Sequence, residues 1–177
     1  NAVLGGRFTS RLNTALRIES GLSYGARSSF DRNRQPGSFS IGSFTKTEST
    51  QEALDLTLKV LADLREKGLA PEELASAKTY LKGQFGPKVE TPGQLAELIA
   101  SFEIFGLDAS EVNQFAARVD AVTLDAARRV IREAFPSQHL AFAIIGQAAA
   151  IAPGLKKYAP EITTCPIEAP GYGPSAP

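Results

Sequence analysis

A chain that hydrolyses bonds with a metal must bring two or three His, Cys, Asp or Glu side chains onto one ion. This sequence has one histidine to offer, His139. With no second histidine at any spacing, both the direct and the inverted His/Glu helix motifs are absent. His139 opens the apolar run of residues 140–145, a position that suits a structural role. A Ser or Cys nucleophile would need that same histidine as its base. The single cysteine, Cys165, lies between Thr164 and Pro166, with no neighbour to draw its thiol towards thiolate. Gly5-Gly6 ahead of a helix could cradle a phosphate, but no lysine-bearing loop follows, and a close backbone approach or a bend accounts for the pair. Glu72-Glu73 fall in the first turn of a helix, where carboxylates complement the dipole. On these residues alone the sequence describes an α+β domain with no self-sufficient active site.

Composition narrows the classes further. The chain has 177 residues, 43% of them hydrophobic and 21% charged, the profile of one ordinary globular domain. Such a chain buries about two-thirds of its unfolded surface, so a core forms without staples. Nineteen basic residues balance nineteen acidic ones, and no Lys/Arg-rich run stands out. That argues against nucleic-acid and anionic-membrane partners. No stretch approaches the roughly 20 apolar residues of a membrane span. One cysteine excludes an internal disulfide. There is no methionine and the first residue is Asn1, which reads as a processed product or an excised piece. Residues 1–4 run straight into helix-like sequence, so the expectation is a cut inside the first helix, with strands absent ahead of it.

The elements follow from periodicity and punctuation. Phe8, Leu12, Ala15 and Leu16 lie at helical spacing, with Gly21 as the stop. Residues 24–30 and a run marked by Phe39, Ile41 and Phe44 read as two strands around a polar hairpin loop, residues 31–37. Ser49 with Glu52 predicts a capping box for a helix whose face is Leu54, Leu58, Leu61 and Leu64, ended by Gly68. Pro71 opens the next helix, with Leu74, Ala77, Leu81 and Phe85 as its stripe. Thr91, Pro92 and Gln94 start a third, whose expected core face is Leu95, Leu98, Ile99, Phe102 and Phe105. Helices over about 109–119 and 123–135 follow. Residues 140–145 suit a buried central strand, and a short helix covers 148–158. From Cys165 the chain is rich in Pro and Gly, predicting an extended or disordered tail. The expected division is one domain over residues 1–160 and a Pro/Gly-rich tail over 161–177. The expected fold is α+β, a mostly antiparallel sheet with helices packed on one face, short of strands at its N-terminal side.

Four stretches together carry a family resemblance. Leu4-Gly5-Gly6-Arg7-Phe8-Thr9-Ser10-Arg11-Leu12, continuing to Leu16-Arg17-Ile18-Glu19-Ser20-Gly21-Leu22-Ser23-Tyr24, resembles the C-terminal domain of the insulinase/pitrilysin zinc metallopeptidases. That family also includes mitochondrial processing peptidase and bacterial two-domain proteases. Pro71-Glu72-Glu73-Leu74 with Ala77-Lys78, Leu81 and Gly83 is similar to its Glu-Leu…Ala-Lys helix. Glu90-Thr91-Pro92 with Phe105-Gly106-Leu107 resembles its next helix and exit turn, and residues 119–123 with the 140–146 run resemble its closing region. The resemblance spans about residues 3–158.

The resemblance implies a clamshell of two similar domains. An N-terminal domain, in the same parent chain or in a partner subunit, binds zinc through an inverted His-x-x-Glu-His helix and a distal Glu. The C-terminal domain carries no metal and no catalytic residue, and supplies an Arg and a Tyr to an extended peptide. The matching positions here are Arg17 and Tyr24, on either side of Gly21. Arg offers a fixed fork of N–H donors to peptide carbonyls, and a Tyr hydroxyl aimed at the scissile carbonyl stabilises its developing oxyanion. Two plainer roles stand beside these: Arg17 as a solvated cation at a helix end, and Tyr24 as a half-buried strand aromatic. The implied function is the substrate-holding half of a zinc metalloendopeptidase, inactive alone. The alternatives are a zinc-lacking subunit of a two-chain peptidase, or a structural relative like the core proteins of the respiratory bc1 complex. Many bacterial members of the family are periplasmic.

Overall fold

The computed structural model describes residues 1–31, 33–35 and 37–167. The chain opens with a turn in which Asn1 O accepts from the backbone N–H groups of Leu4, Gly5 and Gly6. The helix proper starts later than the apolar spacing predicts, at α1, Arg11–Asn13, capped by the Ser10 side chain. It continues as a π-helical segment, Thr14–Glu19, where Ser20 N reaches back five residues to Ala15 O. Leu4, Leu12 and Leu16 are fully buried, but Phe8 is 59% exposed. The extra residue of a π turn shifts the face by which side chains are counted, and Phe8 lies outside the helix, so it is not part of the core stripe.

After Gly21, whose φ of 65° ends the segment, the chain forms β1, Ala26–Phe30, and β2, Phe39–Ser43, an antiparallel pair registered Ala26 to Ser43 through Phe30 to Phe39. Both expected strands are present, β1 starting after Tyr24 and Gly25. Of the expected hairpin loop, Arg32 and Pro36 lie outside the described residues, and Asp31 N donates to Ser38 O at its mouth. The free edge of β1 is occupied by the opening turn. Ser28 N donates to Gly5 O, and Asn1 Nδ2 donates to Ser28 O. Gly5 is required there, because a Cβ would sit 2.5 Å from Ser28 N. Gly5-Gly6 is thus a close approach of backbones.

Helix α2, Thr50–Lys67, lies across α1 and buries Ala53, Val60, Leu61 and Leu64. The expected Ser49 capping box does not form. Residues Thr47–Ser49 make a 3-10 turn that leads into the helix, placing Ser49 at ψ 3° with no side-chain cap bond. A cap needs extended backbone at that residue. Gly68, at φ 68°, reverses the chain into α3, Pro71–Gly83. Arg11 fixes that corner. Its guanidinium donates twice to the Glu73 carboxylate, at 2.6 and 2.7 Å, and once to Gly68 O. Only Ala77 of the α3 stripe is buried; Leu81 is exposed.

Helix α4, Pro92–Phe105, carries the expected capping box of Thr91 and Gln94. Its expected core face is not one. Leu98 and Phe102 are half-buried, while Leu95, Ile99 and Phe105 are exposed. No described element packs over that stripe closely enough to cover it. The next expected helix is broken at Gln114 into α5, Ser110–Asn113, and α6, Phe115–Ala121. Phe115 stacks on Phe85 at 4.0 Å between centroids, and Lys82 pairs with Asp120, so α6 packs on α3. Helix α7, Leu124–Ala134, is capped by Thr123 and buries Ile131. Phe135, just after it, packs edge-on against Phe30 and Phe39.

Residues 140–145 correct the expectation of a buried central strand. They have no ladder partner among the described residues, and Ile145 is 87% exposed. A strand exists only through a neighbour, and the β1 edge is already taken by the opening turn. The run instead walls an apolar cavity of about 900 Å³ with α8, Ala148–Leu155, and residues 161–167. Tyr158 and Lys157 tie the end of α8 to Asp55 of α2. The fold is α+β, helices around a two-stranded antiparallel hairpin. The expected tail lies largely outside the described residues.

Candidate functional site

The π-helical segment decides where Arg17 points. In a regular helix Ser20 N would bond Leu16 O; here it bonds Ala15 O, at 3.1 Å, and Leu16 O is left to accept from Ser23 N, at 2.9 Å, and Ser20 Oγ. That second bond draws the turn after Gly21 back under the helix end. It sets Tyr24 beside Arg17, with the guanidinium carbon over the Tyr24 ring 4.6 Å from its centroid. Single π turns inside helices recur at functional sites for this reason: they re-aim a side chain while keeping the backbone bonded.

Two buried polar residues hold the turn. Ser23 Oγ donates to Gly25 O, accepts from Gly25 N and bonds the Ser43 hydroxyl of β2. Asn13 Oδ1 accepts from Ala26 N at 2.9 Å, and Thr45 Oγ1 donates to Leu22 O at 2.6 Å. The helix end, the turn and both strands are thus joined through the buried Asn13 and Ser23 side chains, with Ser43 and Thr45 as more exposed contributors. Asn13 and Ser23 were not expected from the sequence; small polar residues in apolar surroundings are their signal.

The structure brings both sequence-derived site residues together and presents them outward. Tyr24 is 74% exposed, so it is not the half-buried strand aromatic of the plainer reading. Arg17 forms no ion pair among the described residues; its contacts are aromatic. The second of these was not expected: Phe8 lies under the same guanidinium at 4.6 Å. An Arg held against aromatic rings, with no ion pair, keeps its N–H donors for other acceptors. Such a group can hold carbonyl or carboxylate oxygens of a peptide, with a phenol alongside.

Among the described residues no three His, Cys, Asp or Glu side chains converge. His139 is exposed and has a left-handed backbone, φ 56°. Cys165 is a free thiol on the wall of the apolar cavity. The described residues do not make up a zinc site. No helix among the described residues is long and apolar enough to cross a membrane.

Comparison with known proteins adds a family. Residues 1–81, which contain the whole Arg17–Tyr24 site, match the model of the peptidase M16 inactive domain. An uncharacterized zinc protease of Streptomyces coelicolor is 28% identical over 133 residues, 75% of this chain and 29% of that protein. A Helicobacter pylori protein named as a non-peptidase homolog is 28% identical over 146 residues, 81% of this chain and 33% of that one. The chain therefore spans about a third of the length of these curated relatives. Among solved structures, a peptidase M16 inactive domain from Pseudomonas fluorescens superposes with a TM-score of 0.69 at 25% identity, over 75% of this chain and 32% of that one. The inactive peptidase domain of a Bordetella parapertussis zinc protease has the same fold, with a TM-score of 0.62 at 20% identity, over 75% and 72%. By the match over residues 1–81 and by fold, the chain is similar to the inactive domain of peptidase M16 proteins.

Proposed function

We propose that this chain is the non-catalytic, peptide-holding part of a zinc-dependent endopeptidase, with Arg17 and Tyr24 as its contacts to the substrate. The zinc, the attacking water and its base lie in a separate N-terminal domain. The observation that carries the reading is the pairing of an unspent guanidinium with an exposed phenol, held by a buried Asn13–Ser23 framework. A surface with no binding role has no need of so fixed a support for two exposed side chains. The matched inactive-domain model and the zinc-protease names of relatives support the same reading.

The mechanism asks little of this chain. Arg17 orients peptide carbonyls in the plane of its fork, and the Tyr24 hydroxyl donates to the carbonyl that becomes an oxyanion. Bound zinc would polarise that carbonyl and activate water from the opposite domain. A second reading is a structural family member without peptidase activity, and the Helicobacter relative's name favours it.

The test is hydrolysis of quenched fluorescent peptides by this chain with zinc, alone and mixed with the zinc-bearing remainder of its parent protein. Activity in the mixture alone, lost on chelation, supports the peptidase reading. Arg17→Ala with Tyr24→Phe should then lower turnover by about a hundred-fold, the cost of losing an oxyanion donor. Unchanged turnover by that double variant would remove the two residues from the site. Silence from a folded, zinc-loaded mixture would favour the structural relative.

A further inference from the structure

We propose that Phe8 is a positioning residue for Arg17: with Tyr24 it forms a two-ring clamp that orients the guanidinium for peptide. The inference rests on the reading of Arg17 as a peptide contact.

Phe8 is 59% exposed and contributes nothing to the buried cluster of Leu4, Leu12 and Leu16 beside it. The backbone on both sides of it is nevertheless tied down. Arg7 O accepts from Ser10 N and from the Asn13 side chain, and Arg11 N and Leu12 N donate to Val3 O and Leu4 O. A fixed backbone thus holds a large apolar ring in water, and the group against that ring is Arg17. Its guanidinium carbon lies 4.6 Å from the Phe8 centroid, the same distance as from Tyr24.

A free Arg side chain samples many rotamers and loses them on binding. Two rings that already hold it remove part of that loss beforehand. They also cover part of the guanidinium with apolar ring, while its N–H edge makes no hydrogen bond among the described residues and stays available to a ligand. The acceptors that suit that edge are the carbonyl and carboxylate oxygens of an extended peptide. The clamp is built from three separate places in the fold: the turn before α1, the π-helical segment and the residue pair before β1. It exists only when all three are folded, which makes the Arg17 geometry a property of the native state.

The test follows the Arg17 Nε–Hε resonance of this chain by NMR while an unfolded casein peptide is titrated in. Phe8→Ala should shift that resonance towards the position of a free Arg and weaken peptide binding by about three-fold, the scale of an exposed cation–π contact. Phe8→Tyr, which keeps the ring, should restore both, with the unfolding midpoint of all three proteins alike. If Phe8→Ala binds peptide like the wild type while Arg17→Ala binds less, the positioning role is wrong and the site stands. If Arg17→Ala itself binds as well as the wild type, the underlying site fails, and the role of Phe8 with it.

Discussion

Gly5 marks a close backbone approach between the opening turn and β1, and what it does is visible only in three dimensions. A methyl group there would meet Ser28 N at 2.5 Å and the Ser28 hydroxyl at 2.7 Å, and the first of these is backbone that cannot swing aside. Gly5→Ala should therefore lower stability by about 1–3 kcal/mol, the cost of overpacking, measured by urea unfolding. An unchanged midpoint would mean the opening turn moves freely off β1. Asn13 is the complementary case. It is buried, and its Oδ1 takes the Ala26 N–H. Asn13→Ala leaves that buried donor without a partner, costing roughly 1–3 kcal/mol. Because Ala26 follows the Tyr24 turn, peptide binding should weaken along with stability; a loss of stability with full peptide affinity would show that Asn13 supports the core and not the site. Arg17 and Tyr24 were legible in the sequence because they sit inside a motif that resembles a family pattern. Phe8 was not. It reaches Arg17 across the turn that starts α1, and apolar spacing alone assigned it to the core.

At the scale of elements, the corner between α2 and α3 is held by charge. Arg11 and Glu73 are about three-quarters buried, bonded twice, and also tied to Gly68 O and Ala70 N. The Arg11 bond holds the Glu73 carboxyl below its ordinary value, against some desolvation. An unfolded Glu titrates near about 4.3. The pair's contribution is thus fully present above that pH and is lost as pH falls through the lower folded value. Glu73→Gln should cost no more than about 1 kcal/mol near neutrality, as partly exposed pairs do. The gap between wild type and variant should close on acidification below about pH 4, followed by urea midpoints across that range. A gap that stays constant with pH would mean that Glu73 acts by packing. Elements whose signals are local were readable beforehand: the Thr91–Gln94 box, Pro71, the stops at Gly21 and Gly68. Those that depend on a neighbour were not. Ser49 lost its cap to the 3-10 turn before it, and residues 140–145 have a strand's composition but no ladder partner among the described residues.

Over the whole molecule, burial is uneven. The core is concentrated where the opening turn, α1, the hairpin, α2, α3 and α7 meet. Two apolar areas lie outside it: the α4 stripe, with Ile99 at 52% and Phe105 at 37% exposure, and the 140–145 run. Apolar patterning told which residues prefer burial, but not whether a surface is present to bury them. Contiguous apolar surface in water drives association, and an extended segment with unpaired backbone adds a template for strand pairing. The chain by itself should therefore associate increasingly with concentration, seen by light scattering. Ile145→Lys should reduce that association without lowering the unfolding midpoint, since Ile145 loses almost no burial when replaced. Leu64→Lys, at a position 2% exposed, should instead unfold the chain. Scattering that is flat with concentration, or a midpoint that falls with Ile145→Lys, would mean that the 140–145 run is packed more closely than its exposure indicates. In that event the cavity behind it would belong to the core.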